Sequence, residues 1–148
     1  MRKISIVTAL AFVYCGAALA AGPMDMKGKM KPGLYEYKTD MEISGMPAGM
    51  GKQSTTNQSC VTAKDIEGGD LAKPDKDSKC ELKDVKSSGD VVTYKMVCTG
   101  EGAMTADAKM VFRSGGYTTD LTMSMKQGGQ TTNMKQHIDA KYMGACPK

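Results

Sequence analysis

The sequence predicts an all-β domain: an antiparallel meander of about seven strands, forming a barrel or a strongly curved sheet, with one short helix and two disulfides. Three observations predict it. Apolar and polar residues alternate with period two in segment after segment, which marks strands with one buried and one wet face. The segments are separated by short glycine-bearing breaks, SSGD, TGEG, SGG and QGG, spaced as in a meander. Four cysteines remain once an export signal is set aside, an even number that reads as two bridges in an oxidising compartment. A meander of this size closes or curves, because a flat sheet leaves long exposed edges.

The chain begins with Arg2 and Lys3, an apolar run from Ile4 to about Val13, and Ala18-Leu19-Ala20, which fits the cleavage rule of a signal peptide over residues 1–20. The run is short for a membrane span and no stop-transfer pattern follows, so no span is expected. A lipid anchor on Cys15 needs a small residue before it, and Tyr14 is bulky. Removing residues 1–20 from the 148 leaves 128, enough for one domain, and takes away Arg2 and Lys3, lowering the formal charge from +4 to +2. Lys and Asp/Glu alternate without a basic block, so no nucleic-acid partner is expected. With no Trp and only eight Tyr and Phe residues, the core is short of large side chains, and cross-links are expected to compensate.

Residues 21–33, AGPMDMKGKMKPG, read as a flexible N-terminal arm, with the single β domain over 34–148. LYEYKTDMEI puts Tyr35, Tyr37, Met41 and Ile43 on one face. SGMPAGMG breaks the strand, and Thr-rich KQSTTNQSC is the next candidate. Thr62 caps the one helix-like stretch, with Asp65 in its first turn and Gly68-Gly69 limiting its length. CELKDVK and VVTYKMVC flank SSGD. AMTADAKMVFR, YTTDLTMSMK and QTTNMKQHIDAKY complete the meander, with Met104, Met110, Phe112, Met123, Met134 and Tyr142 on apolar faces.

A three-residue loop, Ser88-Gly89-Asp90, sets Cys80 against Cys98, Leu82 against Met96 and Lys83 against Lys95. Opposed residues of a non-hydrogen-bonded pair lie about 4.5 Å apart at Cα, near disulfide geometry. The expected bridges are therefore Cys80–Cys98 and, by subtraction, Cys60–Cys146. The second would draw the last strand back to the second and close the meander. Zinc is the rival reading, but it wants close cysteine pairs, and gaps of 20, 18 and 48 residues do not supply them.

PGLYEYKTDMEISGMPAGM, the Thr-rich segment ending QSCVTAKD, and DSKCELKDVKSSGDVVTYKMVCTGEGAMT together resemble an exported bacterial family defined as a domain of unknown function. Its members show a Pro-Gly-Leu-Trp-Glu opening, a Met-Pro-Gly-Met-Pro turn and a Gln-Cys-hydrophobic-Thr segment. The resemblance runs from Pro32 to Cys146. Tyr35 stands where the family usually has Trp, which keeps an amphipathic aromatic. It implies a periplasmic or secreted β domain and transfers no catalytic residue.

No enzyme is expected. His137 is the single histidine and falls by alternation on a wet face with Asn133, Lys135 and Asp139. The cysteines are assigned to bridges, so no Cys–His pair is available. No carboxylate spacing marks an acid/base pair, and GEG and GGQ are not phosphate loops. Methionine is the compositional anomaly, at fourteen residues. Most fall on strand faces as core filler, but Met24, Met26, Met46 and Met50 lie in the arm and a turn. Three readings follow. The first is a non-enzymatic domain binding a small apolar ligand or envelope partner in an interior lined by Tyr35, Tyr37, Met110 and Met123, with no cofactor. The second is a Cu(I)-handling protein using the thioethers of Met24, Met26, Met46 and Met50. The third is a structural envelope protein without a ligand.

Overall fold

The structure is a computed structural model that describes residue 24 and residues 26–47, 50–69, 79–100 and 103–147. The expected signal peptide, Cys15 and the start of the arm lie outside the described residues. Strands β1 (Gly33–Ile43), β2 (Lys52–Val61), β3 (Cys80–Ser88), β4 (Val91–Cys98), β5 (Met104–Arg113), β6 (Gly116–Gln127) and β7 (Gln130–Gly144) form one antiparallel sheet in the order β2-β1-β7-β6-β5-β4-β3. Helix α1 (Ala63–Gly68) follows β2. Six of the strands grow from the period-two segments, and β2 from the Thr-rich one.

The sheet curves but does not close. β7 returns to pair with β1, from Leu34↔Gly144 to Ile43↔Met134, yet β2 and β3 remain the two edges. A closed barrel fills its interior from opposite walls. Here β2 offers no side chain for that purpose before Val61, since Lys52–Cys60 are all exposed. The inside is filled instead by the arm and α1.

That filling corrects the expectation of a loose arm. Met24 is 3% exposed and Met26 0%, and with Met30 they join Tyr35, Val61, Ile66, Val92, Tyr94, Met110, Phe112, Tyr117 and Ala140 in one hydrophobic cluster. The arm is also tied at its far side. Lys29 Nζ donates to Ser87 Oγ at 3.2 Å and to the Gly89 carbonyl, and sits 5.7 Å from the centre of the Phe112 ring. Met has the flexible, polarizable chain that fills irregular gaps, and burying one such side chain is worth about 1.5–3 kcal/mol. Met24, Met26 and Met30 are therefore part of the core.

Helix α1 is short because it is capped at both ends. Thr62 Oγ1 accepts from the Asp65 N–H at 3.2 Å, while Asp65 Oδ2 accepts from the Thr62 N–H at 2.8 Å, a reciprocal capping box. Gly69 ends the helix at φ 65°. α1 contributes Ile66 to the core.

The β3–β4 hairpin pairs Cys80 with Cys98, Leu82 with Met96 and Lys83 with Lys95, as expected, but by another route. Its loop has two residues, not three: Ser88 faces Val91, with Gly89 at φ 55° in the first loop position. A bulge between Lys83 and Lys86, with Asp84 at φ 53°, shifts the register by one and restores the cysteine pairing. Both expected bridges are bonded in the structure, with Cα–Cα distances of 3.9 Å for Cys80–Cys98 and 5.7 Å for Cys60–Cys146.

Candidate functional site

The register sorts side chains into a core face and a wet face. On the core face, the end nearest the arm is aromatic. Tyr35 lies 5.5 Å from Tyr142, and 6.3 Å from both Tyr37 and Tyr117, while Phe112 and Tyr117 are 5.8 Å apart. Aromatic pairs at such separations attract beyond simple area burial. The Tyr35 hydroxyl donates to the Lys31 carbonyl at 2.8 Å, which fastens the arm again. The Tyr37 and Tyr117 rings meet edge-on with centroids 6.4 Å apart. Burial pushes the phenols of Tyr35, Tyr37, Tyr94 and Tyr117 up, since a charged phenolate there would lose its hydration.

Of the residues expected to line a ligand cavity, Tyr35 is 1% exposed and Met110 3%, and both are packed among core side chains. Tyr37 packs against that cluster, and Met123 lies farther along β6, opposite Ala106 and Met134. Met24, Met26 and Met30 pack in the same cluster as Tyr35 and Met110.

The core face changes character away from the arm. Met41, Ile43, Met96, Met104, Leu121, Met125 and Met134 are each half-buried there. The register sets Met104 opposite Met125 and Met123 opposite Met134, within the reach of cross-strand neighbours. The side chains between them are Ala, Thr and Gln, with no lysine, arginine or carboxylate on these rows. The result is an uncharged, partly open apolar surface made chiefly of thioethers.

The methionines expected to share a metal are split. Met24 and Met26 sit in the core before the start of β1, whereas Met46 and Met50 follow its end and are exposed, Met50 by 70%. The eleven residues of β1, at about 3.3 Å each, separate the pairs. Among the described residues no group of three His, Cys, Asp or Glu side chains is placed to hold a metal ion.

The wet face carries ladders of alternating charge. One row runs Ser54, Asp40, His137, Asp120, Lys109, Thr93 and Lys86 across all seven strands. The next runs Lys52, Glu42, Lys135, Thr122, Asp107, Lys95 and Lys83. An open hollow of about 530 Å³ at this end takes its lining from both faces of the sheet, with Met41 and Leu121 beside Asp40, Lys52, Asp120 and His137. His137 Nδ1 lies 2.6 Å from Asp120 Oδ1. This is an exposed histidine–carboxylate pair, and the four described cysteines are in bridges. The sequence reading placed His137 on this face but missed Asp120. The signal was present: a two-residue Gly128-Gly129 loop after Gln127 sets Asp120 opposite His137.

Among the described residues no helix is long and apolar enough to cross a membrane. Residues 30–146 match the model of a family described as "Protein of unknown function (DUF3617)". No curated protein matches the chain, and no solved structure does.

Proposed function

The chain belongs to this family of proteins of unknown function, and from that premise we propose that it is an exported, non-enzymatic β domain that binds a small uncharged apolar molecule. The partly exposed apolar rows around Met96, Met104, Met123, Met125 and Met134 carry the reading. Flexible thioethers adapt to apolar ligands of varied shape, and the absence of charge along those rows favours a neutral ligand. Export is supported by the basic and apolar start of the chain and by two disulfides, which persist in oxidising compartments. The non-enzymatic reading rests on bridged cysteines and an exposed histidine without a nearby thiol.

Titration with a neutral fluorescent naphthylamine probe tests it. Binding is expected, and Met125→Glu, which puts a charge on the open half, is expected to weaken it at least tenfold, by roughly the burial penalty of an unpaired carboxylate. Met50→Glu serves as the control. A probe that does not bind, or that binds both variants equally, refutes the proposal. The opposed methionine pairs favour one second reading, Cu(I) held by soft thioethers on this same half. Native mass spectrometry of protein from its own cells separates the two by the mass retained, an organic molecule or a copper ion.

A further inference from the structure

The two edges of the sheet are treated differently. β3 is blunted: it carries Lys83 and Lys86, and a bulge with Asp84 at φ 53° interrupts its register. Lysines and bulges are devices that stop an edge from recruiting another strand. β2, KQSTTNQSCV, has neither beyond its first residue, Lys52. It has no Pro or Gly, no bulge from Glu42↔Lys52 to Gly33↔Val61, and no charge after Lys52.

β2 is also hard to explain by what it buries. Lys52–Cys60 are exposed on both faces, and only Val61 is buried. Ordering a residue's backbone costs about 1–2 kcal/mol, and here a single ladder and one disulfide hold the strand. The direction of its free groups follows from one bond. The Ile43 N–H donates to the Gly51 carbonyl at 2.8 Å, so odd-numbered β2 residues face β1, and the alternation turns the even ones outward. The backbone N–H and C=O groups of Lys52, Ser54, Thr56, Gln58 and Cys60 therefore point away from the sheet.

We propose that β2 is a pairing edge for β2 of a second copy of this chain, joined antiparallel about a two-fold axis at Thr56. That register is the one that uses all five outward residues on both strands. It sets Thr56 against the partner subunit's Thr56, Ser54 against the partner subunit's Gln58, and Lys52 against the partner subunit's Cys60. Hydroxyl and amide side chains both donate and accept, so this neutral polar strand is complementary to itself. Lys52 meets no like charge. A charged strand from another protein would find no complement along Gln53–Val61. The contact is isologous, closes at two copies, and leaves the methionine-bearing half of the core face outside the junction.

Sedimentation velocity of the disulfide-intact protein from about 1 to 500 μM tests the proposal, a range suited to a small interface. The expected result is a concentration-dependent shift from monomer to dimer mass. Thr56→Pro removes an outward N–H that the β1 ladder does not use, and edge strands tolerate proline there. It should remain monomeric at the highest concentration with its melting temperature nearly unchanged. Thr56→Lys provides a variant with an unaltered backbone: it sets two lysines face to face, so its dimer should be lost at low salt and partly recovered at about 1 M salt, where screening is strong. A wild-type chain that stays monomeric throughout overturns the proposal. So does a dimer that survives both substitutions.

Discussion

Met26 provides the sharpest test of the claim that the arm belongs to the core. It is 0% exposed and lies seven residues before β1, in a segment whose Gly, Pro and Lys content reads as a loose tail. Met26→Ala removes three heavy atoms from the packed cluster that holds Val92, Met110 and Phe112. Buried Met→Ala changes cost about 2–5 kcal/mol, the transfer loss plus the cavity left behind. Met26 belongs to no strand or helix, so its segment can settle partly into the gap. That places the expected loss at about 2–3 kcal/mol, in the lower part of the range. For a domain of this size such a loss lowers the melting temperature by roughly 8–12 °C. The assay is thermal and urea unfolding of wild type, Met26→Ala and Met50→Ala. Met50 is 70% exposed, so its substitution should stay within about 0.5 kcal/mol. A Met26→Ala protein as stable as Met50→Ala would refute the placement of the arm inside the fold.

Alkaline stability gives a second check. Burial raises the Tyr117 phenol above its ordinary value, while an unfolded tyrosine ionises near pH 10. The neutral phenol's contribution is fully present below about pH 10 and is lost as pH rises beyond it, at up to about 1.4 kcal/mol per pH unit. Tyr117→Phe should flatten the decline measured by urea unfolding between pH 9 and 11; an unchanged slope counts against the buried, neutral phenol. Mild peroxide treatment followed by peptide mapping should oxidise exposed Met46, Met50 and Met143 well before Met24 and Met26, and equal rates would contradict the core assignment. At the bulge, Asp84→Gly should be neutral or stabilising, whereas Asp84→Val should lose about 1–2 kcal/mol because a β-branched residue resists φ 53°; equal stability of the two would remove the bulge from the account.

The strands were legible almost residue by residue, because alternation reports a face and every break carries a glycine. At Gly116, for example, a Cβ would collide with the Ala140 carbonyl, so the SGG break is required by the close approach of β7. β2 was recognised from its Thr content although it has no apolar face. What escaped was everything that depends on which segments meet. Met24, Met26 and Met30 have no periodic partner of their own, so their burial is set by the empty side of a sheet formed far downstream. Closure hinged on whether β2 and β3 would pair, and neither pattern contains that information. The hairpin register at the cysteines came out right because a longer assumed loop and an unseen bulge offset each other. The half-exposed thioether surface was hidden for a related reason: alternation marks Met104 and Met110 alike as apolar, and only the arm's position makes one buried and the other open.

The strand order also fixes a problem of timing. Of the four bridged cysteines, a chain that emerges N-terminus first presents Cys60, then Cys80 and Cys98, and last Cys146, 86 residues after its partner. Cys60 thus waits through the appearance of two cysteines that belong to each other. Among these four, the first pair open to oxidation is the non-native Cys60–Cys80 link. β1 likewise has its β2 neighbour early but lacks β7 until the end of synthesis. Efficient maturation therefore demands either slow oxidation or a catalyst that reshuffles the first bond made, because exchange through a mixed disulfide corrects such a pairing only when a thiolate is at hand.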